Sequence, residues 1–437
     1  MAIDLRNRTY SAQALALEEE SNAVVAGWVK NSRVKGGIAF IVLRDRKGSI
    51  QLTVKDGKSL ATAKGLTPES VIAAKGKIVQ GKQKSGEKEL LVEELELLSL
   101  CATPLPIDMT GAVPSALDKR LDHRFLDLRT QENQAIFSVR SKLNEFIRDH
   151  LISRGFVEMQ TPKIAGQGVE GGSTVFKFNY FGKEAFLSQS QQLYKQMMMA
   201  AGFDKVFEIG PSFRAEKSFT RRHLAEFTQL DFEMAFIDSE EDVMKALEEL
   251  LHSVLKRLKE EAGEELKVLK KEVVAPKLPF PRMEYLDCVK LLEKHKVKVP
   301  GNDIGTEQEH RLCDITRKEY GHDFLFITKF PWEFRPFYAM KDNENSELSK
   351  GFDLEFKGDE IVSGGQREHR FNVLEQQIKE KGLNAKDLEF YTWPFRHGTP
   401  PHAGFGLGVD RLTMLALELQ DVKEAILFPR QPDRLVP

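Results

Sequence analysis

Cysteine is scarce in this chain and follows no pattern. Of 437 residues only Cys101, Cys288 and Cys313 are cysteines. They are far apart, odd in number and never spaced C-x-x-C, which argues against a disulfide framework or a zinc site. Long apolar runs are also lacking. None approaches the roughly 20 residues that cross a bilayer, so no membrane partner is expected. The opening stretch "MAIDLRNRTYSAQALALEEE" carries acids and no apolar run, so it does not read as a signal peptide. A cytoplasmic location is the expectation. Charge of one sign is missing too: 64 Lys and Arg face 66 Asp and Glu, a net charge of −2. Any nucleic-acid surface must therefore be a local patch. The chain has no G-x-x-x-x-G-K-[ST] loop, no G-x-S-x-G elbow and no Cys/His pair, so neither a P-loop nor a Ser or Cys nucleophile is expected. Internal repeats and low-complexity tracts are absent as well.

What is present reads as a soluble globular protein, 41% hydrophobic and 30% charged, long enough for two or three domains. Between Ala23 and Leu100, "AVVAGWVK", "IAFIVLRDR", "SIQLTVK", "VIAAKGKIV" and "KELLVEELELL" are β-prone runs divided by Gly, Lys and Asp turns. Such a set predicts a small closed barrel, with an OB-fold as one candidate. Phe40 could stack a base, with Lys30, Arg33 and Lys35 near for phosphates; equally, Phe40 could be core and the lysines could solvate turns. From Thr103, "TPLPIDMTGAVPSALDKRLDHRFLDLR" is too rich in Pro and Gly for a helix interior and reads as a hinge.

From Gln131 the pattern alternates helices and strands. "NQAIFSVRSKLNEFIRDHLISRG" and "EEDVMKALEELLHSVLKRLKEEAG" have helical apolar spacing and are expected to close on Gly155 and Gly263. "KVFEIGPSFRAE", "HLAEFTQLDFEMAF", "FLFITKF", "RPFYAMK" and "SKGFDLEFKGDEIVSGG" read as strands of a mostly antiparallel sheet. The fold class is thus α+β, an OB-like barrel followed by an antiparallel sheet flanked by helices. Expected boundaries are 1–104 for the barrel, 105–130 for the hinge and 131–437 for the large domain. "GFGLGVD" has glycines misspaced for a dinucleotide fingerprint. Arg214, Arg222, Arg367 and Arg411 lie in different segments, each beside an acid or glycines. They suit phosphate or carboxylate, though any single one could be a surface ion pair. Glu360 and Ser363 are oxygen donors of the kind Mg²⁺ accepts beside phosphate.

These segments carry a resemblance. "SFRAEKSFTRRHLAEF" and "GFGLGVDRL" are similar to motifs 2 and 3 of class II aminoacyl-tRNA synthetases, and "GFVEMQTPKI" to motif 1. "SQSQQLYKQ", "FDLEFKGDEIVSGGQREH" and "LFPRQPDRLVP" resemble aspartyl-tRNA synthetases of archaeal and eukaryotic type (subclass IIb). Gln191 stands where that family usually carries proline. The resemblance implies aspartyl-adenylate formation from ATP with Mg²⁺ as cofactor, then transfer to tRNA(Asp) and, in some members, tRNA(Asn). It implies tRNA, ATP, L-aspartate and a second copy of the chain as partners, with no DNA and no membrane. Aspartate would meet Glu170 and Gln192 at its ammonium, Lys195 and Arg367 at its side-chain carboxylate, and Arg214 and Ser363. ATP would meet Arg214, Glu216, Arg222, His223, Leu224, Glu360, Gly408 and Arg411. Glu360 and Ser363 would hold the metal. Arg33, Phe40, Gln51 and Glu89 would contact the anticodon, with Lys30 and Lys84 bearing on tRNA choice. The competing readings are an asparaginyl-tRNA synthetase, a paralogue that forms an amide without tRNA, and a noncatalytic RNA-binding protein.

Overall fold

The computed structural model describes residues 3–55, 57–81, 86–166, 175–217, 220–302 and 304–437. Two compact units emerge, Met1–Gln134 (with Pro437) and Ala135–Val436. The expected hinge falls within the first. Its second half, beyond Pro114, holds two short helices, Leu117–Asp122 and Arg124–Asp127.

The first unit is built on β1 (Asn22–Lys35), β2 (Ile38–Asp45), β3 (Gly48–Val54), β4 (Val71–Gln80) and β5 (Lys88–Ser99). They close into a barrel in the order β1-β2-β3-β5-β4, as expected of an OB-fold. Alternation explains it. In β2, Ala39, Ile41 and Leu43 are fully buried, while Phe40 and Val42 on the other face are only partly covered. The core is completed by Val25, Val29, Leu52, Ile72, Ile78 and Leu90. A helix at Gly57–Lys64 interrupts the strand-rich pattern.

In the second unit the strands are β6 (Val157–Glu158), β7 (Ile164–Ala165), β8 (Lys177–Tyr180), β9 (Lys183–Leu187), β10 (Lys205–Phe213), β11 (Glu226–Ala235), β12 (Arg282–Glu284), β13 (Phe324–Thr328), β14 (Gly351–Phe356), β15 (Asp359–Gln366) and β16 (His402–Gly408). Eight form one sheet in the order β12-β13-β14-β15-β16-β11-β10-β6, and β7, β9 and β8 form a small separate one. The large sheet is antiparallel except for the pairs β12–β13 and β10–β6. Two helices cover one face, Gln131–Ser153 and Glu240–Glu261. The second starts at Ser239, whose hydroxyl accepts from the Glu241 N–H, with Asp242 completing a capping box. It does not close on Gly263: Ala262 caps it, and Gly263 opens the next helix. Leu143, Phe146, Ile147, Leu251, Val254 and Leu258 from these helices pack on Leu230, Phe232, Phe405 and Leu407 of the sheet. "RPFYAMK" forms no strand, only isolated bridges from Ala339 and Lys341; Pro336, lacking an N–H, can give no ladder bond at its own position.

Strand periodicity then places the site. Leu230 and Phe232 of β11 belong to the helix-covered core. Gln229, Asp231 and Glu233 therefore point to the opposite face.

Candidate active site

On that opposite face lies a cavity of about 740 Å³, the size of a small-molecule site. Among the residues lining it are Gln192, Arg214, Glu216, Arg222, His223, Leu224, Glu360, Ser363, Arg367, Gly408 and Arg411. Segments over two hundred residues apart in sequence are brought together by β10, β11, β15 and β16. Lys195 does not line the cavity; it lies just behind. Glu170 and Lys84 lie outside the described residues.

The far wall is a buried charge quartet. Arg367 donates from Nε to Glu233 Oε1 at 3.0 Å and from Nη2 to Oε2 at 3.2 Å. Lys195 Nζ donates to Asp231 Oδ1 at 2.8 Å and to the Phe405 carbonyl at 2.9 Å, with Glu233 Oε2 at 3.5 Å. Gln229 donates to the second oxygen of Asp231 at 2.8 Å. Burial pushes the Glu233 carboxyl up, but Arg367 and Lys195 outweigh it and hold the group below the ordinary glutamate range. Both cations expected at the substrate's side-chain carboxylate are paired here with carboxylates of the chain itself. A fully buried ammonium needs acceptors for its protons, and Lys195 has them in Asp231, Glu233 and Phe405. Arg367 alone of the two reaches the cavity.

Room for these side chains comes from the neighbouring strand. In β16, Gly404, Gly406 and Gly408 pair with Glu233, Asp231 and Gln229. A Cβ at Gly404 would sit 2.0 Å from Glu233 Oε2, and one at Gly406 2.4 Å from Gln229 Nε2. "GFGLG" is thus a strand that makes space for polar side chains, rather than a phosphate loop.

Other cations occupy the walls. Arg214 stacks on Phe227 with its guanidinium carbon 5.2 Å from the ring centroid, and no carboxylate pairs with it among the described residues. Arg411 donates to the Glu360 carbonyl at 2.7 Å and lies 3.4 Å from the Arg222 carbonyl. Arg222 is itself tied to Glu309 at 2.5 Å and Asp359 at 3.4 Å. Burial, then the Arg411 charge, holds His223 below the ordinary histidine range.

Glu360 is a metal-ligand candidate with a physical mark. Burial, and then the neighbouring Asp353, pushes its carboxyl up to about 7. A divalent cation there would relieve that repulsion. Asp353 pairs across the sheet with Ser363, so the donors are all oxygen and suit a hard cation. Among the described residues no group of three or more His, Cys, Asp or Glu is arranged to hold a metal unaided. Phosphate oxygens would have to complete the shell.

Sequence reading missed Asp231, Glu233, Gln229 and Arg335. The first three carried a signal: polar residues at every second position of "TQLDFEMAF", in a strand otherwise apolar. Arg335 donates to Asp353 at 2.9 Å and Ser363 Oγ at 3.0 Å, and lies over Phe330; nothing in its segment marked it. Gln191, the departure from the usual proline, is fully buried. It donates to the Pro211 carbonyl at 3.1 Å and accepts from Ser212 at 3.3 Å, tying its loop to β10.

On the barrel, Arg33 and Phe40 face each other across β1 and β2, the guanidinium carbon 5.2 Å from the ring centroid. Gln51 of β3 donates to Glu89 of β5. Lys30 is exposed at a register shift in β1.

A closed barrel and an arginine-walled cavity on an antiparallel sheet are the arrangement that the resemblance to class II tRNA synthetases implies. The family model "tRNA synthetases class II (D, K and N)" matches residues 116–432 and "OB-fold nucleic acid binding domain" matches residues 23–98. The chain belongs to this family of ligases. An aspartate–tRNA(Asp) ligase of Pyrococcus horikoshii is 47% identical, over 98% of this chain and all of that protein. An aspartate–tRNA(Asp/Asn) ligase of Methanopyrus kandleri is 44% identical, over 98% and 99% of the two chains. The crystal structure of asparaginyl-tRNA synthetase from Pyrococcus horikoshii with asparaginyl-adenylate superposes with a TM-score of 0.89 at 34% identity, covering 98% of this chain and 99% of that one. The resemblance to aspartyl-tRNA synthetases read from the motifs is borne out by the ligases at this identity. Families of this class use ATP and generally a divalent metal. Among the described residues no helix is long and apolar enough to cross a membrane.

Proposed function

We propose that the chain activates L-aspartate with ATP and transfers it to tRNA(Asp). In the first step the α-carboxylate of aspartate attacks the α-phosphorus of ATP, and pyrophosphate leaves. In the second a ribose hydroxyl of tRNA attacks the aspartyl carbonyl, and AMP leaves. Little covalent work falls to the protein, so positioning and charge neutralisation carry the rate. Arg214 takes the α-phosphate and the reacting carboxylate. Arg222, His223, Leu224, Glu216, Gly408 and Arg411 border the nucleotide. Glu360 and Ser363 would hold Mg²⁺, which when bound neutralises phosphate charge. Gln192, with Glu170, holds the ammonium, and Arg367 meets the side-chain carboxylate. Arg33, Phe40, Gln51 and Glu89 form the anticodon surface. A second copy is proposed to cover the segment around β6, where Ile152, Val157 and Ile164 are exposed.

One observation carries the aspartate reading, the balanced quartet. Lys195 cancels one of the two buried carboxylates, so Arg367 can accept an incoming anion. Without Lys195 the wall would be negative and would repel it. The test is pyrophosphate exchange with aspartate and with asparagine, followed by charging of tRNA(Asp) and tRNA(Asn) transcripts. Exchange with aspartate and charging of tRNA(Asp) are expected. Exchange with asparagine alone overturns the substrate, adenylate without charging points to an amide-forming paralogue, and no exchange at all to a noncatalytic protein.

A further inference from the structure

Four buried side chains, two at the cavity wall and two behind it, form one directional hydrogen-bond chain. The Pro400 carbonyl can only accept, so its 2.8 Å contact with His402 Nδ1 puts the ring proton on that nitrogen. A neutral ring so protonated has a bare Nε2. That atom lies 3.2 Å from Gln196 Nε2, from which it accepts. Gln196 therefore turns its oxygen to Gln192, whose Nε2 donates to it at 2.8 Å. Gln192 is left with its oxygen towards Arg367, whose Nη2 donates at 3.4 Å. His402 and Gln196 are 0% exposed, Gln192 6% and Arg367 5%. With water so largely excluded, turning an amide would break these contacts with no solvent to replace them.

Gln192 lines the cavity. We propose that His402 is a positioning residue for substrate: its bare Nε2, acting through Gln196, sets the oxygen and not the amino group of Gln192 at the cavity wall. An α-ammonium there needs an acceptor, and Arg367 needs one too. Were Nε2 to carry the proton, Gln196 and then Gln192 would have to turn, and donors would face donors. The charged and titratable groups facing His402 are Glu233, Arg367 and His369, and burial keeps the ring neutral. The inference rests on the reading that this cavity takes an amino acid.

The test is pyrophosphate exchange by the wild-type enzyme and by the His402→Leu, His402→Gln and Gln196→Met variants. Leucine removes the acceptor, methionine cuts the chain at its middle, and glutamine returns an oxygen close to the lost nitrogen. The KM for amino acid is expected to rise about tenfold in H402L and in Q196M, the scale of one buried hydrogen bond. The KM for ATP and kcat should stay within about twofold, and H402Q should recover most of the loss. The H402L/Q196M double variant should be no worse than the worse single one, since both cut the same chain. An unchanged amino-acid KM overturns the proposal. So does a fall in kcat at constant KM, or a KM rise shared equally by ATP, either of which marks general loosening. If H402L fails to fold, Q196M decides by the same criteria. If the wild-type enzyme exchanges with asparagine and not aspartate, the substrate reading falls, and the same comparison made with asparagine decides the role of His402.

Discussion

The ammonium of Lys195 lies 2.8 Å from Oδ1 of Asp231, with side-chain exposures of 0% and 1%. It therefore acts on the cavity through the carboxylates it neutralises. Lys195 and Arg367 balance Asp231 and Glu233, and the wall they form is electrically even before substrate arrives.

Replacing Lys195 with serine leaves two carboxylates against one guanidinium. The KM for aspartate should rise by at least about a hundredfold, while that for ATP moves less than about threefold. Stability should fall by about 3 kcal/mol, the cost of breaking a buried ion pair. Pyrophosphate exchange and urea denaturation read the two effects. Normal aspartate kinetics in K195S would remove this residue from substrate recognition.

His402 makes the fold sensitive to acid. Burial pushes its pKa down to about 4 from the ordinary 6.5. Between those values the unfolded chain binds a proton that the folded one does not, so stability falls as pH drops through that window. The loss should approach about 3 kcal/mol. Comparing wild type with H402Q at each pH cancels the other titrating groups. A difference that stays flat from pH 7 to 4 would contradict it.

Gly404 and Gly406 of β16 should not tolerate alanine, and should fail in different ways. At Gly404 a Cβ would also meet the Phe232 carbonyl at 2.1 Å, and backbone cannot step aside. At Gly406 it meets only the Gln229 side chain. G404A is expected to lose about 3 kcal/mol of stability or fail to fold. G406A should lose about 1 kcal/mol but bind aspartate several-fold more weakly, as Gln229 leaves Asp231. Thermal denaturation with exchange kinetics separates the two; equal effects would disprove the packing argument.

Phe40 lies on the outer face of the barrel with Arg33 over its ring. F40A should weaken tRNA binding by about tenfold, the scale of one stacked base. Filter binding with tRNA(Asp) transcript measures it. Unchanged affinity would return Phe40 to a packing role.

Much of the fold was legible because period and punctuation are local. The barrel strands, the hairpin of "FDLEFKGDEIVSGGQ" and the long helix before Gly155 follow from alternation, turn residues and helical spacing. What was not legible depends on partners distant in sequence. Nothing around Lys195 indicates that its charge is met by Asp231 and by the Phe405 carbonyl, 36 and 210 positions away. Glu233 and Asp231 could have been suspected from their alternation in "TQLDFEMAF", but only the register with β16 explains why they fit. "RPFYAMK" looked like a strand by composition, and Pro336, which has no N–H, is the one local mark against it. Glu170 and Lys84 fall outside the described residues, and their proposed roles rest on resemblance alone.

An evenly charged, solvent-excluded wall has a consequence for ionic strength. Mobile ions have little net field to screen where Lys195, Arg367, Asp231 and Glu233 meet, so added salt should barely alter aspartate affinity. The exposed Arg33 on the barrel works in water, and its hold on a phosphate backbone should weaken steadily as salt rises. A salt titration thus separates the two recognition events of one enzyme, leaving amino-acid activation intact while charging of tRNA fades.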